Sequence, residues 1–197
     1  MSAGTVLVMS GDQIYMDYFS TLGPIDPQVK SRTKGDVFIP AIGYIEKYHE
    51  FLKKSAQGKL SDIEVMFFIE KFDPAELYFF EQSRDLSVEL LQKWLVKYKF
   101  KDWNETETRK TPVSLKMKEK RASEIAKKLN DVRKWKSHGR SLSKEVIQQE
   151  LNLKIDDFGA DTQLNNLVRP YYRLLQDYMQ RVRHSLVIHT ANSYQGF

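Results

Sequence analysis

"MSAGTVLVMSGDQIYMDYFSTLGPIDPQ" spans residues 1–28, and its reading decides the fold. The initial methionine runs into Ser2-Ala3-Gly4-Thr5 and a short apolar run, which periodicity leaves open between a buried helix and a strand. Ile14 to Met16 predicts a short strand, and Gly23-Pro24 and Asp26-Pro27 predict tight turns. The stretch lacks the charged start and long apolar run of a signal peptide. It reads as the middle of a domain. A sheet of one or two strands cannot sit between helix layers, so further strands are expected before Met1.

Outward from that stretch the pattern turns helical. Residues 29–37 are polar and predict a loop. Ile42, Ile45, Tyr48, Phe51 and Leu52 recur at three- and four-residue steps from Pro40, with Gly58 as the stop. Ser61 caps a helix carrying Ile63, Met66, Phe67 and Ile69. Asp73 caps the next, with Pro74 at its first position and Glu76 behind, running to about Phe100. Residues 101–114 break the pattern, a basic helix follows to about Asn130, and Ser143 opens a short helix to Leu151. The last helix is expected from Leu164 to Leu186, with residues 190–197 as a frayed tail. The chain is therefore expected to be mostly α-helical, with a few short strands near its start. Residues 1–100 and the basic residues 101–197 are expected as two regions.

The 197 residues are 41% hydrophobic, enough for one core with an appended subdomain. With no cysteine, a disulfide scaffold, a thiol nucleophile and a Cys-type zinc site are excluded. His49, His138, His184 and His189 lack metal-ligand spacing, so neither metal nor cofactor is expected. No apolar run is long enough to span a membrane, so the chain as written reads as cytoplasmic. The net charge is +5, and residues 109–140 hold twelve Lys or Arg. That run is either a solvated helical face or a surface for an anionic partner.

A serine followed by Ala-Gly and an apolar run has one specific use beyond capping a helix. Serine hydrolases place their nucleophile at the start of a buried helix, where free backbone N–H groups favour negative charge. The capping role is the plainer alternative for Ser2.

Longer blocks resemble a known family. Ser2-Ala3-Gly4-Thr5, Gly11-Asp12-Gln13-Ile14-Tyr15-Met16-Asp17 and Leu22-Gly23-Pro24-Ile25-Asp26-Pro27-Gln28 are similar to the nucleophile region of the serine dehydrogenase proteinase family. These are SppA-like serine proteases of the ClpP/crotonase superfamily. The resemblance continues through Asp73-Pro74-Ala75-Glu76-Leu77-Tyr78, Trp94-Leu95-Val96-Lys97-Tyr98-Lys99-Phe100, Trp135-Lys136-Ser137-His138-Gly139-Arg140 and Asp157-Phe158-Gly159. It implies an α/β, ClpP/crotonase-like fold truncated at its N-terminus and peptide-bond hydrolysis with Ser2 as nucleophile. It also implies a peptide or protein substrate and a homo-oligomer, with membrane association only through a preceding part. The glycine-rich turn that supplies oxyanion donors in the family is not matched here. Losing one such donor costs about 2.7–4 kcal/mol, so the chain alone is expected to show no measurable peptidase activity.

The resemblance leaves the base open. SppA-type enzymes use a lysine, for which Lys59 is the candidate with Lys53 and Lys54 behind it. Such a lysine must be desolvated. A second branch uses a Ser-His-Asp set, and His138 matches its histidine. Asp26 reads as a turn residue before proline. An N-terminal nucleophile mechanism, with the Ser2 amine as base, is a remote alternative.

Two readings lie outside catalysis. Residues 133–151 pair a basic segment, a glycine turn and a capped helix, the outline of a nucleic-acid-binding helix-turn-helix. The long helices with Tyr171, Tyr172 and Tyr178 suit a scaffold or interaction role.

Overall fold

The computed structural model describes residues 2–30 and 37–197. In chain order the elements are α1 (Ser2–Val8), β1 (Tyr15–Met16), β2 (Gln28–Lys30), β3 (Phe38–Pro40), α2 (Ala41–Ala56), α3 (Asp62–Lys71) and α4 (Pro74–Trp94). A π-helical turn (Leu95–Lys99) follows, then α5 (Leu115–Leu129), α6 (Val132–Trp135), α7 (Lys144–Leu151), β4 (Asp156–Asp157), α8 (Thr162–Val182), β5 (Val187–Thr190) and β6 (Ser193–Gly196). The chain is mostly helical, with a few short strands.

Local chemistry sets most of these boundaries. The Ser61 hydroxyl accepts from Glu64 N–H while the Glu64 carboxylate accepts from Ser61 N–H, a reciprocal cap that starts α3. Asp73 accepts from the N–H groups of Ala75 and Glu76, and Pro74 fills the first position of α4. Ser114, Asp131, Ser143 and Asp161 cap α5, α6, α7 and α8 in the same way. At the end of α4 the π turn inserts one extra residue, with Phe100 N–H donating to the Leu95 carbonyl at 2.8 Å. That insertion lets Leu91, Leu95 and Phe100 all be buried, at spacings of four and then five.

The chain folds into two compact units. Unit 1 comprises Met1–Ile14 and Ser20–Ile155. Its core is aliphatic: Met9, Ile14, Leu91, Leu95, Ile125, Leu129, Leu142, Ile147 and Leu151 are all buried, and α4 packs on α5 and on α2. A second cluster joins Val29, Ala41, Ile45 and Phe80. The boundary expected at residue 100 falls inside this unit, because α5 packs against α4 and the π turn.

Unit 2 comprises Tyr15–Phe19 and Asp156–Phe197. Here β1 pairs with β4 in parallel, and β5 with β6 antiparallel. The hairpin is tied to α8 by aromatic contacts. Tyr171 hydrogen-bonds and stacks with His189, while Tyr194 packs edge-on to Tyr178 and its hydroxyl lies 3.0 Å from His184 Nδ1. Desolvation raises the Tyr194 pKa. A Cβ at Gly196 would fall 1.9 Å from the His184 ring, so only glycine fits there.

Three sequence expectations need correction. Residues 190–197 form the second half of a hairpin rather than a frayed tail, because β5 supplies a backbone ladder. Strands are not confined to the start, since β4, β5 and β6 lie late in the chain. Part of the loop expected at 29–37 is extended, with Gln28–Lys30 laddered to Phe38–Pro40. Residues 31–36 of that expected loop lie outside the described residues, as does Met1.

Candidate active site

The expected nucleophile, Ser2, is the first residue of α1. Three residues on, Thr5 is buried, and its hydroxyl donates to the Gly23 carbonyl at 2.8 Å and accepts from Gly23 N–H at 2.9 Å. This reciprocal pair fastens α1 to the loop carrying Gly-Pro-Ile-Asp-Pro. The same loop is held on both sides. Leu22 exchanges backbone hydrogen bonds with Leu142, Ile25 N–H donates to the Leu129 carbonyl, and Ala41 N–H donates to the Pro27 carbonyl.

Asp26 stands inside that frame, only 1% exposed. Its Oδ1 accepts from His138 Nδ1 at 2.8 Å and its Oδ2 from Gln28 Nε2 at 2.9 Å. Both carboxylate oxygens are thus occupied and the group is fixed in orientation. A buried carboxylate without such partners would be costly. The tight turn expected at Asp26-Pro27 is not formed, because this segment's backbone bonds run to Leu142, Leu129 and Ala41 instead, and the Asp26 side chain is an acceptor for a residue 112 positions away.

The local chain presents His138 on purpose-built backbone. Lys136, just past α6, adopts φ +61°, the left-handed region that L side chains enter at a cost of about 1–2 kcal/mol. Ser137 then accepts Gly139 N–H on its hydroxyl and Arg140 N–H on its carbonyl, closing a turn around His138. The imidazole is 22% exposed, and among the described residues Nε2 has no partner. Histidine with Nδ1 held by a carboxylate and Nε2 open is the arrangement of a general base and its orienting acid.

The lysine candidates are placed otherwise. Lys59 is exposed on the turn after Gly58, and no hydrogen bond or ion pair joins its side chain to Asp26 or His138. Lys53 is exposed too. Lys54 bonds Glu64 at 2.8 Å, and that hydrogen bond raises its pKa, opposite to the shift a lysine base requires. None of the three is buried, as a lysine base has to be.

The basic stretch is partly structural. Lys118 is buried and donates to the Lys101 carbonyl, Arg121 to the Leu151 carbonyl and Lys128 to the Glu150 carbonyl, while Arg133 pairs with Glu46 and Lys134 with Glu150. The helix-turn-helix outline maps onto α6, a single turn of four residues, and α7, eight residues further on. A helix-turn-helix joins its helices by three or four residues. Among the described residues, no cluster of His, Asp and Glu could hold a metal ion, and no helix is long and apolar enough to cross a membrane.

No protein-family model, curated protein or solved structure matches the chain.

Proposed function

We propose that the chain carries the nucleophile and base of a serine peptidase centre of the SppA-like, ClpP/crotonase type, with Ser2 as nucleophile, His138 as base and Asp26 as its orienting acid, and with no measurable peptide turnover by the chain alone because the glycine-rich oxyanion turn is not matched. The observation that supports this most is the 2.8 Å hydrogen bond between buried Asp26 and His138. In this reading the Ser2 oxygen attacks the scissile carbonyl carbon while its proton passes to His138 Nε2. His138⁺ then protonates the leaving amine, and an ester to Ser2 remains. Water, deprotonated by the same imidazole, cleaves that ester and restores the hydroxyl. Asp26 fixes the tautomer and offsets the imidazolium charge without taking the proton. Lys59 is the alternative base that the resemblance supplies, and exposure argues against it.

A fluorophosphonate probe tests the reading, because its single phosphonylation step needs an activated hydroxyl and no turnover. Label mapping to Ser2 is expected, abolished in Ser2→Ala, strongly slowed in His138→Ala and unchanged in Lys59→Ala. A chain that stays unlabelled at Ser2, or labels equally with His138→Ala, overturns it.

A further inference from the structure

Unit 2 contains a cleft of about 560 Å³ that the Ser2 reading does not use. Its residues come from three short pieces of chain. Tyr18 and Phe19 lie just beyond β1, both largely exposed, with ring centroids 3.9 Å apart. Asp157 ends β4 and Gly159 lies just beyond it, and Asn165, Arg169 and Arg173 descend one side of α8 at four-residue steps.

The charges in the cleft do not play equal parts. Arg169 is satisfied: it pairs with buried Asp17 and its guanidinium lies over the Phe19 ring at 4.4 Å and the Tyr18 ring at 5.3 Å. One turn along, Arg173 is exposed and makes no hydrogen bond or ion pair among the described residues. A guanidinium in that condition is a ready fork for a carboxylate. Asp157, also in the lining, accepts Gly159 N–H on its carboxylate at 2.8 Å. Its negative charge disfavours a doubly charged phosphate and tolerates a singly charged ligand.

The remaining lining asks for two more features. Among the described residues Asn165 Oδ1 is buried with no hydrogen-bond partner, so a change of side-chain rotamer that brings it to the cleft gives up no bond and lets it accept a ligand N–H. The Tyr18 and Phe19 rings offer flat apolar surface. At Gly159 the wall is bare backbone, because a Cβ there would meet Asp157 Oδ1 at 3.0 Å and Asp17 Cβ at 3.2 Å. A carboxylate, an N–H donor on the adjacent carbon and an apolar side chain are together the C-terminal residue of a peptide.

We propose that this cleft binds peptide C-termini ending in an aromatic or large apolar residue, with Arg173 taking the carboxylate, Asn165 the amide N–H and Tyr18–Phe19 the side chain. A cleft of this size holds two or three residues. The site stands or falls independently of the Ser2 chemistry.

The test is a ¹H–¹⁵N NMR titration of the whole chain with N-acetyl-L-phenylalanine, its carboxamide and 3-phenylpropionate. The acetyl amino acid is expected to shift the Gly159 amide and the Asn165 side-chain NH₂. Affinity falls roughly tenfold or more for the carboxamide, which lacks the charge, and several-fold for 3-phenylpropionate, which lacks the N–H. Arg173→Gln, on an exposed helical position, reproduces the carboxamide loss while unit 1 resonances stay in place. Equal binding of all three probes, an unchanged affinity in Arg173→Gln, or tighter binding of phenyl phosphate at the same amides would overturn the proposal.

Discussion

Among the described residues each unit buries one aspartate, and the two aspartates have partners of different kinds. In unit 1, Asp26 holds a histidine, a group that can take up and release a proton. In unit 2, Asp17 holds the guanidinium of Arg169, a group that serves ion pairing rather than proton transfer. One carboxylate can therefore serve a proton transfer, and the other can only fix structure. Their surroundings differ to match. Unit 1 is closed by aliphatic side chains, whereas among the described residues of α8 and the C-terminal hairpin none is buried, and ion pairs and ring contacts do the joining.

The sharpest way to break this comparison is to remove the proton-carrying pair. Asp26→Asn and His138→Ala should each slow probe labelling of Ser2 by about 10²–10⁴-fold, the range for a general base, read as the rate of label incorporation by mass spectrometry. A structural pair would leave that rate unchanged.

Next comes the aliphatic core. Leu91→Ala should lower unfolding stability in urea by about 2–5 kcal/mol, because Leu91, on α4, is fully buried. Leu174→Ala, on the exposed face of α8, should fall within about 0.5 kcal/mol of the parent. Equal effects would remove the distinction between the units.

In unit 2, Arg169→Gln should cost about 1–3 kcal/mol by leaving buried Asp17 without its cation, seen as faster hydrogen exchange along α8 with unit 1 protection retained.

The smallest effect concerns an exposed carboxylate. The Lys54 and Ser61 hydrogen bonds hold Glu64 at a pKa of about 2, below its ordinary 4.5. A depressed carboxylate contributes stability above its unfolded value and loses it on acidification. Protection of the α3 start should therefore decline between pH 4.5 and about 2, and Glu64→Gln should flatten that decline in amide exchange measured across the range.

Legibility followed sequence distance. The caps at Ser61, Asp73 and Ser143 act over two or three residues, so they and their helices could be read directly. The strand at Tyr15–Met16 was visible in its own residues, but its partner Asp156–Asp157 was not. The proposal of Ser2 rests on its Ser-Ala-Gly run and on the resemblance, that of His138 on the resemblance alone, and Asp26 reads as a turn residue because nothing local marks it as an acceptor. Its partner lies 112 residues on, and Arg169 lies 152 residues beyond Asp17. The C-terminal hairpin escaped for a different reason. Ile188, His189 and Thr190 are all exposed, so β5 has no inward face to impose alternation.

The five residues that unit 2 takes from near the start of the chain have a consequence for biogenesis. Tyr15 is synthesised 141 residues before its pairing partner Asp156, with most of unit 1 made in between. Closing so long a loop is entropically costly until the intervening chain is compact. Unit 1 can condense during translation, whereas unit 2 waits for Asp156–Phe197 to be made before its early segment finds a partner.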